Sequence, residues 1–144
     1  MKPDIPTLHP MRIDDYTQVF DLWSQCEGVG LREEVDSETG IRRYLNRNPG
    51  MSFIARSRDQ IIGVILAGHD GRRGYIHHLA VAPQWRHKGV GKALVSAAVK
   101  ALEKEEIRKI HLFIFTDNKA AEKFWENSGW SIREDILILS RTVN

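Results

Sequence analysis

Between Met51 and Val81 the chain carries three β-type segments joined by two turns too short to hold another element. Met51 to Arg56 is followed across Arg58-Asp59-Gln60 by the strongly apolar run Ile61 to His69, and Asp70-Gly71 begins the turn into Tyr75 to Val81. Consecutive strands linked this tightly pair antiparallel, so the centre of the fold is a meander. Pro83 ends it. From Gly91 to about Glu105 the period changes to that of a helix: Val90, Leu94, Ala97 or Ala98, and Ala101 lie along one line, and Val95, Val99 and Leu102 widen the buried face. Lys109 to Phe115, nearly all apolar apart from His111, reads as a further strand with a central position.

The flanks complete the pattern. Thr7 to Pro10 is a short first strand. Asp14 or Asp15 can cap a helix running to about Gln25, with Tyr16, Val19, Phe20 and Trp23 at helical spacing. The polar stretch Glu27 to Asp36, with Gly28 and Gly30, reads as a loop. Ser37 can cap a second helix that Asn48-Pro49-Gly50 ends. Asp117 or Asn118 caps a short helix from Lys119 to Ser128, closed by Gly129. Trp130 to Ile132 and Ile136 to Ser140 are expected to finish the sheet. The expected architecture is one mixed α/β (α+β) domain over residues 1–144.

The totals narrow the function classes. With 21 basic and 19 acidic side chains, the net charge of +2 is too balanced to imply a nucleic-acid partner by itself. Cys26 is the only cysteine, which rules out an internal disulfide and a cysteine-built metal cage and fits a reducing, cytoplasmic setting. Neither a secretory signal nor a membrane-length apolar run is expected.

The strongest site signal is Arg86-x-x-Gly89-x-Gly91, placed between a strand and a helix. Two glycines let the backbone turn tightly and approach a ligand, and the new helix offers unpaired N–H groups at the positive end of its dipole. A pyrophosphate suits such a site. Two other phosphate motifs fail: Leu94 stands where a dinucleotide fingerprint needs a small residue, and Arg86 and Ala93 break the P-loop pattern. A plain glycine-rich turn is the alternative reading.

The run Leu79-Ala80-Val81-Ala82-Pro83-Gln84-Trp85-Arg86-His87-Lys88-Gly89-Val90-Gly91-Lys92-Ala93-Leu94 resembles the acetyl-coenzyme A-binding motif of the GNAT acetyltransferase superfamily. Asn118-x-x-Ala121-x-x-Phe124-Trp125-x-x-x-Gly129-Trp130 is similar to that superfamily's second motif. Element order matches over nearly the whole chain, and the pattern is most like that of small bacterial YpeA-like members. The resemblance implies a central, mostly antiparallel twisted sheet of six to seven strands flanked by four helices and splayed at the acetyl-CoA site. It also implies an acyltransferase that moves the acetyl group of acetyl-CoA to a primary amine by direct attack in a ternary complex, without a metal. The acceptor would be a small amine, an amino acid or a protein amino group. A homodimer is common among such proteins.

By position, the resemblance implies that amides from Lys88 to Ala93, with Arg86 and His87 adding charge, hold the pyrophosphate. Backbone groups of Leu79, Ala80 and Val81 would pair with the pantetheine arm beside a β-bulge, and an amide there would polarise the acetyl carbonyl. Asn118 would bond the pantetheine or simply cap its helix. Ala121 would leave room for the cofactor and Phe124 would pack on it. Trp125 occupies the place of a tyrosine that commonly protonates the departing thiolate. An indole N–H is not acidic at ordinary pH. That departure keeps open a second reading, a catalytically degenerate domain that binds acyl-CoA as a sensor or interaction module.

Acetyl transfer also needs a base, because alkylamines are protonated at neutral pH. The strand before the pyrophosphate turn offers His77 and His78. Alternation assigns them to opposite faces, His77 on the side of Tyr75. Structural histidines are the other reading of both. For the acceptor, Glu33 and Glu34 lie with Glu27 and Asp36 in a loop that would attract a cationic amine; a solvated charge run is the alternative.

Overall fold

The computed structural model describes residues 5–26 and 29–143. They divide between two compact units, Met1–Phe113 and Ile114–Asn144. Among the described residues no helix is long and apolar enough to cross a membrane.

The first unit is built on a five-stranded sheet: β1 (Thr7–Pro10), β2 (Phe53–Ser57), β3 (Gln60–His69), β4 (Gly74–Val81) and β5 (Ile110–Leu112), in that spatial order. The first four pair antiparallel with their chain neighbours, as the short turns require. β5 pairs parallel with β4, across the crossover that carries the long helix. The mixed α/β reading holds, with five strands among the described residues where six to seven were expected.

β3 is buried from Ile61 to Gly68 because helices cover both of its faces. A Cβ at Gly63 would meet Leu94 and Val90 of α4 (Val90–Lys104), while one at Gly68 would meet Asn48 and Tyr44 of the segment that includes α3 (Glu38–Arg47). Gly63 and Gly68 are five positions apart and so face opposite ways. Leu94, Ala98 and Leu102 of α4 pack one layer. Ile41 of α3 and Val19, Leu22 and Trp23 of α1 (Tyr16–Gln25) are also fully or nearly fully buried.

Local chemistry explains most boundaries. The Ser37 hydroxyl accepts from the Gly40 amide at 3.1 Å and caps α3, as the sequence predicts. Asp15 closes a 3-10 turn by accepting from the Arg12 amide at 2.8 Å and pairs with Arg56 at 2.7 Å. The stretch expected to be loop contains a single helical turn, α2 (Glu33–Asp36). Its cause is Asp36, whose Oδ2 accepts from the Arg32 amide at 2.7 Å and closes the turn from its far end. Glu27 and Gly28 lie outside the described residues.

The second unit holds α5 (Lys119–Asn127), capped by Asn118 Oδ1 accepting from the Ala121 amide at 3.1 Å. Gly129 follows at φ +92°, the left-handed exit that its sequence position implies. The strands expected at Trp130 to Ile132 and Ile136 to Ser140 are not formed. Arg133 and Asp135, paired through two contacts of 2.9 Å, separate the two apolar runs, and Leu137 and Leu139 are almost fully exposed. Apolar alternation does not by itself make a strand, which also needs a neighbouring edge to supply hydrogen bonds and a face to bury. β5 is likewise shorter than the expected Lys109 to Phe115 and lies at the sheet edge, not its centre.

Candidate active site

β4 changes character halfway along. His77 pairs with Leu66 and Ala80 with Val64, so three steps on β4 span two on β3. The extra residue is a bulge at His78–Leu79, and His78 takes φ +49° to make it. A non-glycine residue in that region costs about 1 kcal/mol, which neighbours must offset. His78 has those neighbours: its Nε2 lies 2.8 Å from Asp36 Oδ1, and its ring meets Trp23 edge-on at 5.2 Å.

The bulge also cancels the alternation of the strand. The sequence places His77 and His78 on opposite faces, but both line one cavity of about 430 Å³ between β4, α2 and α3. His77 stacks on Tyr75 at 6.4 Å and meets Tyr44 edge-on at 5.8 Å. Its ring makes no hydrogen bond among the described residues. Burial, reinforced by the neighbouring His78, pushes its pKa below the ordinary histidine value, and the charge of Asp36 opposes this more weakly. His77 is therefore a neutral imidazole at pH 7, able to accept a proton.

Asp36 is the member of the site that the sequence does not single out. It is 5% exposed, and both carboxylate oxygens are engaged, one by His78 and the other by the Arg32 amide. Its backbone carbonyl accepts from the Tyr16 hydroxyl at 2.7 Å, which ties α2 to α1. The Ser37 cap marks only that this acid lies in the preceding turn; that it faces the sheet follows from the packing of α2 against β4. Glu34 lines the cavity and Glu33 does not; Arg32, Arg43 and Arg47 line it too. Tyr44 closes the wall, with a hydroxyl that is buried and unpartnered and a pKa raised far above the usual tyrosine range by burial.

On its other edge β4 is open. Parallel pairing with β5 runs from Gly74 to Ile76 and stops, so the backbone from His77 to Val81 has no β5 partner. Leu79, Ala80 and Val81 lie along this gap, where the sequence resemblance implies a splay. The Val81 carbonyl accepts from Arg86 Nε at 3.1 Å and so ties the strand to the turn that follows.

That turn is exposed from Arg86 to Gly89. His87 has φ +61° and Gly89 φ +85°, and a Cβ at Gly89 would meet nothing within 4 Å. Open space lies on the outside of the turn, as a bulky anion requires. The first hydrogen bond of α4 runs from the Ala93 amide to the Gly89 carbonyl at 3.0 Å, so the amides of Val90, Gly91 and Lys92 precede any helical partner. Val90 is buried and anchors the start of the helix, while Lys88 extends over the Trp85 ring at 5.2 Å. A diphosphate fits this arrangement of open amides and nearby cations.

In the second unit, Asn118 serves as the cap of α5. Phe124 and Trp125 meet edge-on at 5.2 Å, and Trp125 meets Trp130 at 5.0 Å. Ala121 is half-buried and Trp125 buried.

A model of the acetyltransferase (GNAT) family matches residues 16–130. An acetyltransferase of Sodalis glossinidius is 33% identical over 130 residues, covering 90% of each chain. One from Photorhabdus laumondii is 35% identical over 134 residues, covering 92% of each. Among solved structures, the aminoglycoside acetyltransferase AAC(6')-Iy, in complex with a CoA-S-monomethyl-acetylneamine bisubstrate analogue, has a TM-score of 0.77 at 17% identity, over 96% of this chain and 99% of that one. PaiA N-acetyltransferase from Thermoplasma acidophilum, in complex with coenzyme A, has a TM-score of 0.78 at 16% identity, over 92% and 93%. At these identities the structures show a shared fold.

Proposed function

Since this chain belongs to the acetyltransferase (GNAT) family, and is by that membership an acyltransferase, we propose that it moves the acetyl group of acetyl-CoA to a primary amine held in the cavity beside His77. The observation that carries this reading is the bulge at His78–Leu79. It brings two histidines into one cavity at the point where β4 loses its β5 partner and the chain runs on to the open amides of α4.

Acetyl-CoA supplies an activated acyl carbon and a thiol leaving group. The amides of Val90, Gly91 and Lys92 hold its diphosphate, with Arg86, His87 and Lys88 around them and Lys88 to Ala93 forming the cradle. Leu79, Ala80 and Val81 offer backbone groups to the pantetheine arm along the unpaired edge of β4. A backbone amide of this segment polarises the acetyl carbonyl. His77 takes a proton from the amine, directly or through a water, and its depressed pKa keeps it unprotonated for that step. His78, gripped by Asp36, holds the bulge and thereby the position of His77.

By sequence resemblance Asn118 bonds the pantetheine or caps its helix, Ala121 leaves room for the coenzyme, Phe124 packs on it and Trp125 stands at its thiol end. Trp125 favours a second reading, an acyl-CoA-binding module without turnover. Release of free coenzyme A with a panel of primary amines separates the two. Turnover with any amine supports transfer. Thermal stabilisation by acetyl-CoA with no thiol release leaves the binding module, and no stabilisation at saturating acetyl-CoA sinks both.

A further inference from the structure

The acceptor cavity is more basic than the acidic loop in the sequence implies. Arg43 and Arg47 are four positions apart on α3, on the same face as Tyr44, and both line the cavity with His77 and His78. Neither makes an ion pair among the described residues. Their neighbour Arg42, by contrast, turns away to Glu38 at 3.2 Å. Arg32 lines the cavity from the opposite segment. Against these three guanidinium groups stand Glu34 and Asp36, and both carboxylate oxygens of Asp36 are already engaged. A cavity with uncommitted arginines repels a polycation and attracts an anion.

We infer that the acceptor is a small amine that also carries an anionic oxygen group, a carboxylate or a phosphomonoester, which Arg43 and Arg47 bind while the amine lies at His77. This rests on the acetyl-transfer reading and narrows its substrate class. It also sets the chain apart from the fold neighbour crystallised with an acetylneamine conjugate, despite a TM-score of 0.77. Guanidinium groups take either anion through paired N–H donors. The spacing of α3 keeps the two charges close: Arg43 is adjacent to Tyr44, the residue His77 touches, and Arg47 lies about one turn further along the axis. A compact amino acid or aminoalkyl phosphate therefore suits the cavity better than a long polyamine.

The test follows free coenzyme A with matched acceptors: an amino acid, its carboxamide and its decarboxylated amine, in series with small, apolar and acidic side chains, together with O-phosphoethanolamine and spermidine. Within each productive series the anionic member is expected to exceed the neutral amine in kcat/KM by ~10-fold or more, with spermidine poorest. Whether the carboxylates or O-phosphoethanolamine lead identifies the anion. In Arg43→Gln/Arg47→Gln that preference is expected to fall to within about threefold of none. Arg47→Glu is expected to move the ranking towards spermidine. Acetyl-CoA stabilisation, measured in parallel, checks that each variant is folded. Neutral amines or spermidine matching the anionic acceptors in the wild type would overturn the inference and leave acetyl transfer standing, as would a preference that survives the double substitution. Thiol release with none of these amines would sink the transfer reading and this inference with it.

Discussion

The turn from Arg86 to Gly91 and the cavity around His77 follow one another along β4, yet they are built by different physics. The turn is exposed from Arg86 to Gly89, its ligand groups are backbone amides, and its shape depends on left-handed φ at His87 and Gly89. The cavity lies between packed elements, its working groups are side chains, and they come from α2, α3 and β4, 42 residues apart in the case of Asp36 and His78. A backbone site needs only a few consecutive residues with the right torsions. A side-chain site needs three elements held in register. The first is robust to most substitutions other than at glycine; the second is sensitive to each named residue.

The largest expected effect is on the side-chain site. His77→Ala is expected to lower turnover by roughly 10²–10⁴ while acetyl-CoA binding persists. In the wild type the acidic limb of kcat/KM against pH should fall below the ordinary histidine value of about 6.5, because burial lowers the pKa of His77. In the variant that limb should flatten. If His78→Ala costs more turnover than His77→Ala and removes the limb instead, the roles of the two histidines are exchanged.

Next is the backbone site. Gly89→Val is expected to abolish the thermal shift with acetyl-CoA, a loss of about 2.7 kcal/mol at 100 times the dissociation constant. The fold itself should survive, since a Cβ at Gly89 meets nothing and the strain of a left-handed valine is only about 1–2 kcal/mol. A preserved shift would show that the turn does not hold the diphosphate.

Asp36→Ala should leave cofactor binding in place and act on stability directly. It strips the Arg32 amide and His78 of their partners, for about 1–3 kcal/mol in chemical denaturation. Turnover should fall with it, because the bulge that positions His77 loses its tether. Unchanged stability and rate would separate Asp36 from the site.

The smallest effect is expected at Trp125. At most one hydrogen bond from its indole is lost in Trp125→Phe, about 0.5–1.5 kcal/mol, so turnover should stay within about tenfold. A collapse with acetyl-CoA binding intact would give the indole N–H an essential catalytic part. Trp125→Tyr is expected to retain activity.

The chain's own order of residues determines what depends on near neighbours. Ser37 caps α3 through Gly40, Asn118 caps α5 through Ala121, and the meander follows from turns too short for any other pairing. The phosphate turn belongs to this class, since Gly89 can take φ +85° without help and the helix after it exposes its amides by construction. Tertiary structure decided the rest. The two apolar runs after Gly129 read as strands but stay unpaired, because strand formation needs an edge and a face that alternation cannot supply. A histidine pair on a regular strand must diverge. Here Asp36 and Trp23 hold His78 at φ +49°, and the bulge brings both rings to one cavity. Asp36 reads as one charge in a polar stretch until α2 folds back and buries it against β4. No local pattern marks such residues, because their roles arise from distances that exist only once the sheet and its helices have packed.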